Sequence, residues 1–597
     1  MMEIMSLCEG GFEDGPMAVK LGSNARNIHM AASTWASIKA IRPGFFATSS
    51  VSSYISTESP IAKAGVLANI GPDGSLSSGA YPGIVIASPS TENPDYLYTW
   101  TRDSSLTFQV LIDQFISGED TTLRSLIDDF VEAEATLQQV TNPSGTVSSG
   151  GLGEPKFYIN ETAFEGSWGR PQRDGPALRS TAMITYANWH IANGNTTYVN
   201  NTLWPIIQLD LNYVAGNWNF STFDLWEEID SSSFFTTAVQ HRALRQGATL
   251  ANTIGQTSVI SNYDTQAGDL LCFLQSYWNP TGRHMTANTG GGRSGIDSNT
   301  VLTSVHTFDP SAGCDAITFQ PCSDKALANL KVYVDSFRSI YSINSGIASD
   351  AAVATGRYPE DVYQGGNPWY LCTFAVAEQL YDALTVWASQ GSLEVTSTSL
   401  AFFQQFDSGV ATGNYSSSSS TYTTLTSAIR TFADGFIEIN AQYTPSGGAL
   451  SEQYNKNNGT ALSAIDLTWS YASALSAFAA EAGTTYGSWG AAGLQVPSTC
   501  ASGVAVTFTV TYDTYYGQNV YIVGSVAALG NWSPSSAPLM SSANYPTWSI
   551  TVYLPPSTAI QYKYIAMDGS DITWEGDPNN SLTTPASGST TQNDSWH

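Results

Sequence analysis

The stretch Leu123-Arg-Ser-Leu-Ile-Asp-Asp-Phe-Val-Glu-Ala-Glu-Ala-Thr-Leu-Gln-Gln-Val140 decides the fold class. Its apolar residues Leu123, Leu126, Ile127, Phe130, Leu137 and Val140 recur at helical spacing, so they form one stripe facing a core. The same spacing returns at about 103–116, 176–193, 196–215, 234–254, 263–278, 324–341, 368–389, 394–406, 421–440 and 463–481. Long loops rich in Gly, Pro and aromatics separate these segments, and strand-like alternation is nearly absent between Val51 and Ala482. About a dozen helices joined by such loops predict paired helices closed into a ring, with the loops of one end forming a pocket. Periodicity alone does not establish the closure.

After Gly483 the pattern changes. Val506, Phe508, Val510 and Tyr512 alternate with polar neighbours, as do Trp548, Ile550, Val552 and Leu554, then Ile560, Tyr562 and Tyr564. This predicts a small antiparallel β domain, an immunoglobulin-like sandwich, with turns at Tyr516-Gly517-Gln518-Asn519 and Leu554-Pro555-Pro556. The expected division is an N-terminal segment at 1–50, disordered or artefactual, a helical domain at 51–500 and a β-sandwich at 501–597. Residues Met1 to Ser50 carry Glu3, Glu9, Glu13 and Asp14 and lack a basic-then-apolar run, so they do not read as a signal peptide. The run from Leu467 to Ala480 is too short to span a bilayer and reads as a core helix.

The 597 residues exceed one ordinary core, and 42% hydrophobic residues leave ample material for a large one. Only 22 Lys and Arg stand against 50 acidic residues, and a net charge of -28 excludes nucleic acid and membrane surfaces as expected partners. A neutral or cationic ligand fits better, and 16 Trp and 30 Tyr suit a secreted protein that stacks rings on sugars. Sequons at Asn160, Asn195, Asn200, Asn219, Asn414, Asn458, Asn531, Asn579 and Asn593 also point to export. Of the six cysteines, Cys314 and Cys322 bracket a short loop, Cys272 and Cys500 could staple distant segments, and none has metal-ligand spacing.

The chemistry concentrates in a few loops. Phe223-Asp-Leu-Trp-Glu-Glu-Ile-Asp230 stacks two adjacent carboxyls beside an indole, an arrangement that disfavours ionisation and suits a general acid. Alone it would read as an acidic surface turn. Tyr96-Leu-Tyr-Thr-Trp-Thr-Arg-Asp103 sets a cation and an anion beside rings just before a helix; Asp103 is either that helix's N-cap or, with Arg102, a clamp on sugar hydroxyls. Ser167-Trp-Gly-Arg-Pro-Gln-Arg-Asp-Gly-Pro176 offers Trp168 for stacking, and Gly356-Arg-Tyr-Pro-Glu-Asp361 with Gly366-Asn-Pro-Trp369 is a further loop of the kind. Such loops on one scaffold favour a carbohydrate pocket. An inverting glycosidase holds its two carboxyls about 6.5–9.5 Å apart, so the second is sought far along the chain. Leu450-Ser-Glu-Gln-Tyr454 supplies the candidate, Glu452.

In order, these motifs resemble the fungal members of glycoside hydrolase family 15 over about Val51 to Pro497, and from Ala505 the chain resembles the starch-binding module of carbohydrate-binding family 20. The resemblance implies an all-α six-fold α/α barrel followed by a β-sandwich, and inverting exo-hydrolysis of α-1,4 and, more slowly, α-1,6 links at the non-reducing ends of starch and maltooligosaccharides. The product would be β-D-glucose, with no cofactor or metal, from a secreted monomer. It implies Glu227 as general acid and Glu452 as general base, with Arg102, Asp103 and Arg357 clamping the terminal sugar. Tyr96, Trp100, Trp168, Asp224, Glu228, Asp361, Tyr363 and Trp369 would line or support the subsites. In the sandwich, Trp532, Lys563, Trp574, Glu575 and Asn579 resemble one starch site, and Tyr516, Tyr545 and Trp548 a second. The resemblance also implies a Cys272–Cys500 disulfide, since Cys500 resembles the cysteine that ends the family's catalytic domain and pairs with one at the position of Cys272; Ser587 stands near where the module's own second cysteine would be. The chain departs from the family in lacking a recognisable signal peptide and a long Ser/Thr-rich linker. Competing readings are a hydrolase of another α-glucoside, such as trehalose or dextran, and a non-catalytic α-glucan-binding protein. The starch module argues against the first, and the presence of both carboxylates against the second.

Overall fold

The computed structural model describes residues 50–497, 504–554, 558–569, 571–585 and 589–597; the N-terminal segment expected at 1–50 lies, but for Ser50, outside them. Among these residues stand twelve helices of eight residues or more: α1 (Ser50–Ala68), α2 (Thr101–Ser117), α3 (Arg124–Gln139), α4 (Asp174–Ala192), α5 (Trp204–Asn217), α6 (Phe234–Thr253), α7 (Ile260–Gln275), α8 (Asn299–His306), α9 (Asp324–Ser336), α10 (Tyr370–Gln390), α11 (Ser420–Tyr443) and α12 (Thr468–Glu481). The even-numbered helices pack in sequence, α2 on α4, then α6, α8, α10 and α12, and α12 returns to α2. That contact closes a six-membered inner ring, and the odd-numbered helices pack against its outside. Burial explains the division of labour. Inner α4 and α10 are buried on nearly every face, from Pro176 to Met183 and from Tyr370 to Ala383, whereas outer α3 buries only the stripe that includes Ile127, Phe130, Val131 and Leu137.

Several expected segments differ. The helix expected at 196–215 opens with a single α-turn, Thr196–Tyr198, and passes through a π-turn, Val199–Leu203, before α5, because Pro205 in the first turn of α5 has no N–H to continue an α ladder. The segment expected at 394–406 splits into a strand, Ser392–Val395, paired with Gly413–Ser416, and a short helix, Leu400–Gln404. Gly391, at φ 69, ends α10 in the left-handed region and turns the chain into that strand. Helix α1 was not expected; it is Ser-rich, carries Pro60 inside and buries only Val51, Glu58, Ala62 and Val66, so its stripe is faint. Helix α8 is two turns long and equally easy to miss.

The C-terminal strands are β1 (Val504–Thr511), β2 (Asn519–Gly524), β3 (Ser541–Asn544), β4 (Thr547–Leu554), β5 (Ala559–Asp568), β6 (Asp571–Trp574), β7 (Asn580–Thr583) and β8 (Ser589–Ser595). One sheet runs β3-β4-β1-β8, and the other β2-β5-β6 with β7 also on β5. Alternate residues of β1 and β4 point into the sandwich, as the two-residue period requires. The antiparallel expectation fails at one pair, since β1 and β8 run parallel from Ala505–Ser589 to Thr511–Ser595. Pro555 and Pro556, expected in a turn, lie outside the described residues.

Candidate active site

Each inner helix is entered from a loop that carries site residues. Trp100 leads into α2, whose first turn carries Arg102, Trp168 to Arg173 lead into α4, which begins at Asp174, Asp224 to Ile229 into α6, Arg293 and Asp297 into α8, Arg357 to Trp369 into α10, and Glu452 to Ser463 into α12. The inner helices therefore all begin at the same end, and their N-terminal dipoles favour negative charge there.

Glu227 sits at the tip of a hairpin whose legs, Thr222–Phe223 and Asp230–Ser231, pair antiparallel. Its φ of 65 is left-handed, and the turn is tied by Asp224, whose Oδ1 accepts the N–H groups of Glu228 (3.0 Å) and Ile229 (3.2 Å) while Oδ2 accepts Asn288 Nδ2 (3.0 Å). Asp224 is fully buried in this role, so it braces the turn instead of lining the pocket. Glu227 Oε1 accepts three N–H groups, from Trp100 Nε1 (2.7 Å), Gln172 Nε2 (3.0 Å) and Arg102 Nη2 (3.3 Å), whereas Oε2 accepts one, from Trp168 Nε1 (2.9 Å). Gly169 is obligatory beside it, since a Cβ there would lie 2.8 Å from Glu227 O.

The two adjacent carboxyls do not share a site, contrary to the expectation from Trp226-Glu-Glu. Glu228 turns to Arg357 (2.9 Å) and Arg293 (2.6 Å) and accepts the Tyr358 hydroxyl. Burial alone would push its pKa up, but these partners prevail and hold it below the usual carboxylate value. Arg357 also forks onto Asp361 (2.7 and 2.9 Å), with its guanidinium 4.9 Å from the centre of the Tyr363 ring and 5.2 Å from that of Trp369. Asp103 is not the cap of α2, whose capping position is Trp100. It lies in the first turn, where burial pushes its carboxyl up to about 7 against the pull of Arg102. Arg102 itself is fixed by Asp174 (2.8 Å) and Gln172 (3.0 Å).

Glu452 comes from the loop before α12 and is 1% exposed. Burial pushes its pKa up to about 7, opposed by hydrogen bonds from Ser463 and Gln453 Nε2 (2.9 Å) and by the charge of Arg357. Tyr96 stands between the two carboxyls: its hydroxyl bonds that of Tyr363 (2.7 Å), burial and then the neighbouring Glu452 carboxylate hold that hydroxyl well above the usual tyrosine range, and its ring stands edge-on 5.5 Å from Trp100, which holds Glu227. Sequence reasoning missed Gln172, Asp174 and Tyr358, although they lie inside quoted motifs, and Ser463, Asp297 and Lys156, which carried no signal. Asp297 accepts Trp226 Nε1 (2.8 Å) and is pushed up to about 8 by burial. The Lys156 ammonium lies 3.6 Å from the Trp168 ring centre and 4.6 Å from that of Trp100, tying the two indoles that grip Glu227.

On the sandwich, Tyr516 is fully exposed, Tyr545 is 51% exposed and Trp574 42% exposed, so their rings are open to a ligand, and Trp532 is half-buried. Trp548 is 2% exposed and donates its indole N–H to Tyr512 O (3.0 Å) inside the core, which removes it from the expected second starch site. Glu575 and Lys563 are buried behind Trp574. The Glu575 carboxylate accepts Tyr564 N (3.0 Å) and Asn580 Nδ2 (2.7 Å), and the Lys563 ammonium bonds Glu575 O (3.2 Å) and Asp577 (3.0 Å), so both are tied into the module's own bonding. Asn579 is exposed and donates to Gln561 (3.1 Å). Cys314 and Cys322 are bonded, and Cys272 is disulfide-bonded; Cys500 lies outside the described residues.

Comparison with known proteins gives the same two parts. The profile of glycosyl hydrolases family 15 matches residues 60–479, and that of the starch binding domain matches residues 503–594. The chain is 62% identical to glucoamylase-1 of Schizophyllum commune, over 92% of this chain and 96% of that protein. It is 49% identical to glucoamylase of Neurospora crassa, over 92% and 94%. Among solved structures, the family 15 glucoamylase from Hypocrea jecorina is 50% identical with a TM-score of 0.74, over 92% of this chain and all of that one.

Proposed function

The chain belongs to family 15 of the glycosyl hydrolases, and on that premise we propose that Glu227 is the general acid and Glu452 the general base of its reaction. The enzyme is a glucan 1,4-α-glucosidase: it removes terminal α-1,4-linked glucose, and more slowly α-1,6-linked glucose, from the non-reducing ends of starch and maltooligosaccharides as β-D-glucose. Its starch-binding module is the match at 503–594. The observation that carries the residue assignment is the convergence of both carboxyls on Tyr96, whose ring packs on the Trp100 that holds Glu227 and whose hydroxyl, beside Glu452, bonds Tyr363, although their loops lie more than two hundred residues apart.

The roles follow from the partners. With three N–H groups on Oε1 and one on Oε2, Oε2 is the Glu227 oxygen with room for the proton that passes to the glycosidic oxygen as the C1–O bond breaks. Glu452, ionised, takes a proton from the water that attacks C1 from the opposite face, which inverts the anomeric carbon. Arg102, Asp103 and Arg357 supply charge-assisted hydrogen bonds to the terminal sugar's hydroxyls, with Trp100, Trp168, Tyr363 and Trp369 as the surrounding rings. We assign the catalytic domain to 51–500, the starch module to 501–597, Cys272 as partner of Cys500, and an extracellular monomer as the working form. No helix among the described residues is long and apolar enough to cross a membrane.

NMR of the anomer first released from maltotriose tests the stereochemistry, with β-glucose expected. Glu227→Gln keeps the shape of the acid but cannot donate a proton, so turnover of maltose falls by about 10²–10⁴-fold with binding retained. A variant keeping more than a tenth of wild-type turnover would refute the acid assignment.

A further inference from the structure

We propose that the starch module forms one wall of the hairpin that displays Glu227, and that Phe220, Ser232 and Tyr553 position the general acid; this rests on the assignment of Glu227 above. The hairpin has only two paired residues on each leg, Thr222–Phe223 and Asp230–Ser231, too few to hold a shape alone. Its position is set by whatever grips the legs. On the barrel side, Phe223 N donates to Pro171 O (2.9 Å), Arg173 Nε donates to Ser221 O (2.9 Å), and Gly169 packs against the tip.

The opposite grip comes from the module. Phe220, two residues before the hairpin, is 8% exposed and belongs to the sandwich's apolar core with Val504, Val506, Val552 and Leu554. Its backbone bridges Val552 of β4. The next residue of that strand, Tyr553, accepts a hydrogen bond from Ser232 Oγ (3.2 Å), and Ser232 directly follows the returning leg. The Tyr553 ring also packs 4.5 Å from Phe273 of α7. Two successive residues of one strand thus hold both legs. Arg173 joins the two grips, since its guanidinium lies 5.7 Å from the Phe220 ring centre while its Nε holds Ser221. A small displacement of a catalytic group is costly to rate, so this wall affects turnover of soluble substrates as well as adsorption to starch.

The test uses full-length Phe220→Ala, Phe220→Leu, Ser232→Ala and Tyr553→Phe. Measured are kcat and KM on maltose across pH, adsorption to granular starch, and hydrogen exchange in the peptide spanning 218–233. Phe220→Ala is expected to lower kcat about tenfold with KM within about twofold, and Phe220→Leu to restore most of the rate. The hairpin amides exchange faster, and starch adsorption is retained. If Phe220→Ala does not fold, Tyr553→Phe and Ser232→Ala decide, each expected to lower kcat about threefold with the Phe273 contact intact. Faster exchange at an unchanged kcat would overturn the proposal, as would equal losses of turnover and adsorption that Phe220→Leu fails to rescue. The acid assignment fails separately: an active Glu227→Gln overturns that, whereas an inactive Glu227→Gln beside wild-type kcat in all four variants overturns only the wall.

Discussion

Ser463 sets where the general base titrates. Its hydroxyl donates to Glu452 Oε2 in a site that is 1% exposed, so the bond stabilises the charged form with little screening. Ser463 lies at φ 67, where alanine would be strained, so Ser463→Gly removes the hydroxyl without disturbing the backbone. A hydrogen bond to a charged group contributes about 1.5–3 kcal/mol, and at 1.36 kcal/mol per pKa unit its loss raises the Glu452 pKa by about 1–2 units. The sign is fixed: Glu452 already stands at about 7 through burial, and removing a donor that opposes burial lifts it further. The acidic limb of the kcat profile on maltose therefore moves to higher pH. The assay is initial glucose release from maltose between about pH 3 and pH 9, read as log kcat. An acidic limb that is unmoved or displaced downward would refute the reasoning, and a uniform loss at every pH would mean that Ser463 positions the loop instead.

Glu378 and Asp382, one turn apart on α10, are both buried, and burial raises Glu378 to about 7 and Asp382 well above its usual value. Their stability contribution is complete below the unfolded pKa values and is lost as pH rises through the folded ones, so Glu378→Gln raises the thermal midpoint at pH 8 and changes little at pH 4; equal shifts at both pH values would contradict this. Trp532→Ala with Trp574→Ala removes two stacking platforms of about 1 kcal/mol each, so adsorption to granular starch falls while maltose turnover holds, and equal losses on both would make the rings structural. Peptide mass mapping without reduction is expected to recover Cys272 joined to Cys500, and a free thiol at Cys500 would exclude that bond.

The helical class, the change to strands after Gly483 and the loops that hold the chemistry are all legible in the order of residues alone. Helical and strand periods are local properties, and motifs such as Tyr96 to Asp103 and Asp224 to Glu228 are contiguous. The resemblance carried by those motifs was enough to point to Glu227 and Glu452. Where the side chains turn depends on contacts that form only in the folded chain. Glu227 and Glu228 are neighbours in the chain, yet one faces two indoles and the other Arg357 and Arg293, because the left-handed backbone at Glu227 sends them apart. Trp548 and Trp574 look alike in sequence, yet one fills the sandwich and the other is open to solvent, since that depends on which sheet face covers each. Closure of the ring rests on α12 packing against α2, and the grip of β4 on Phe220 and Ser232 joins residues more than three hundred positions apart. Such contacts depend on the fold bringing distant surfaces together, and no local period records them.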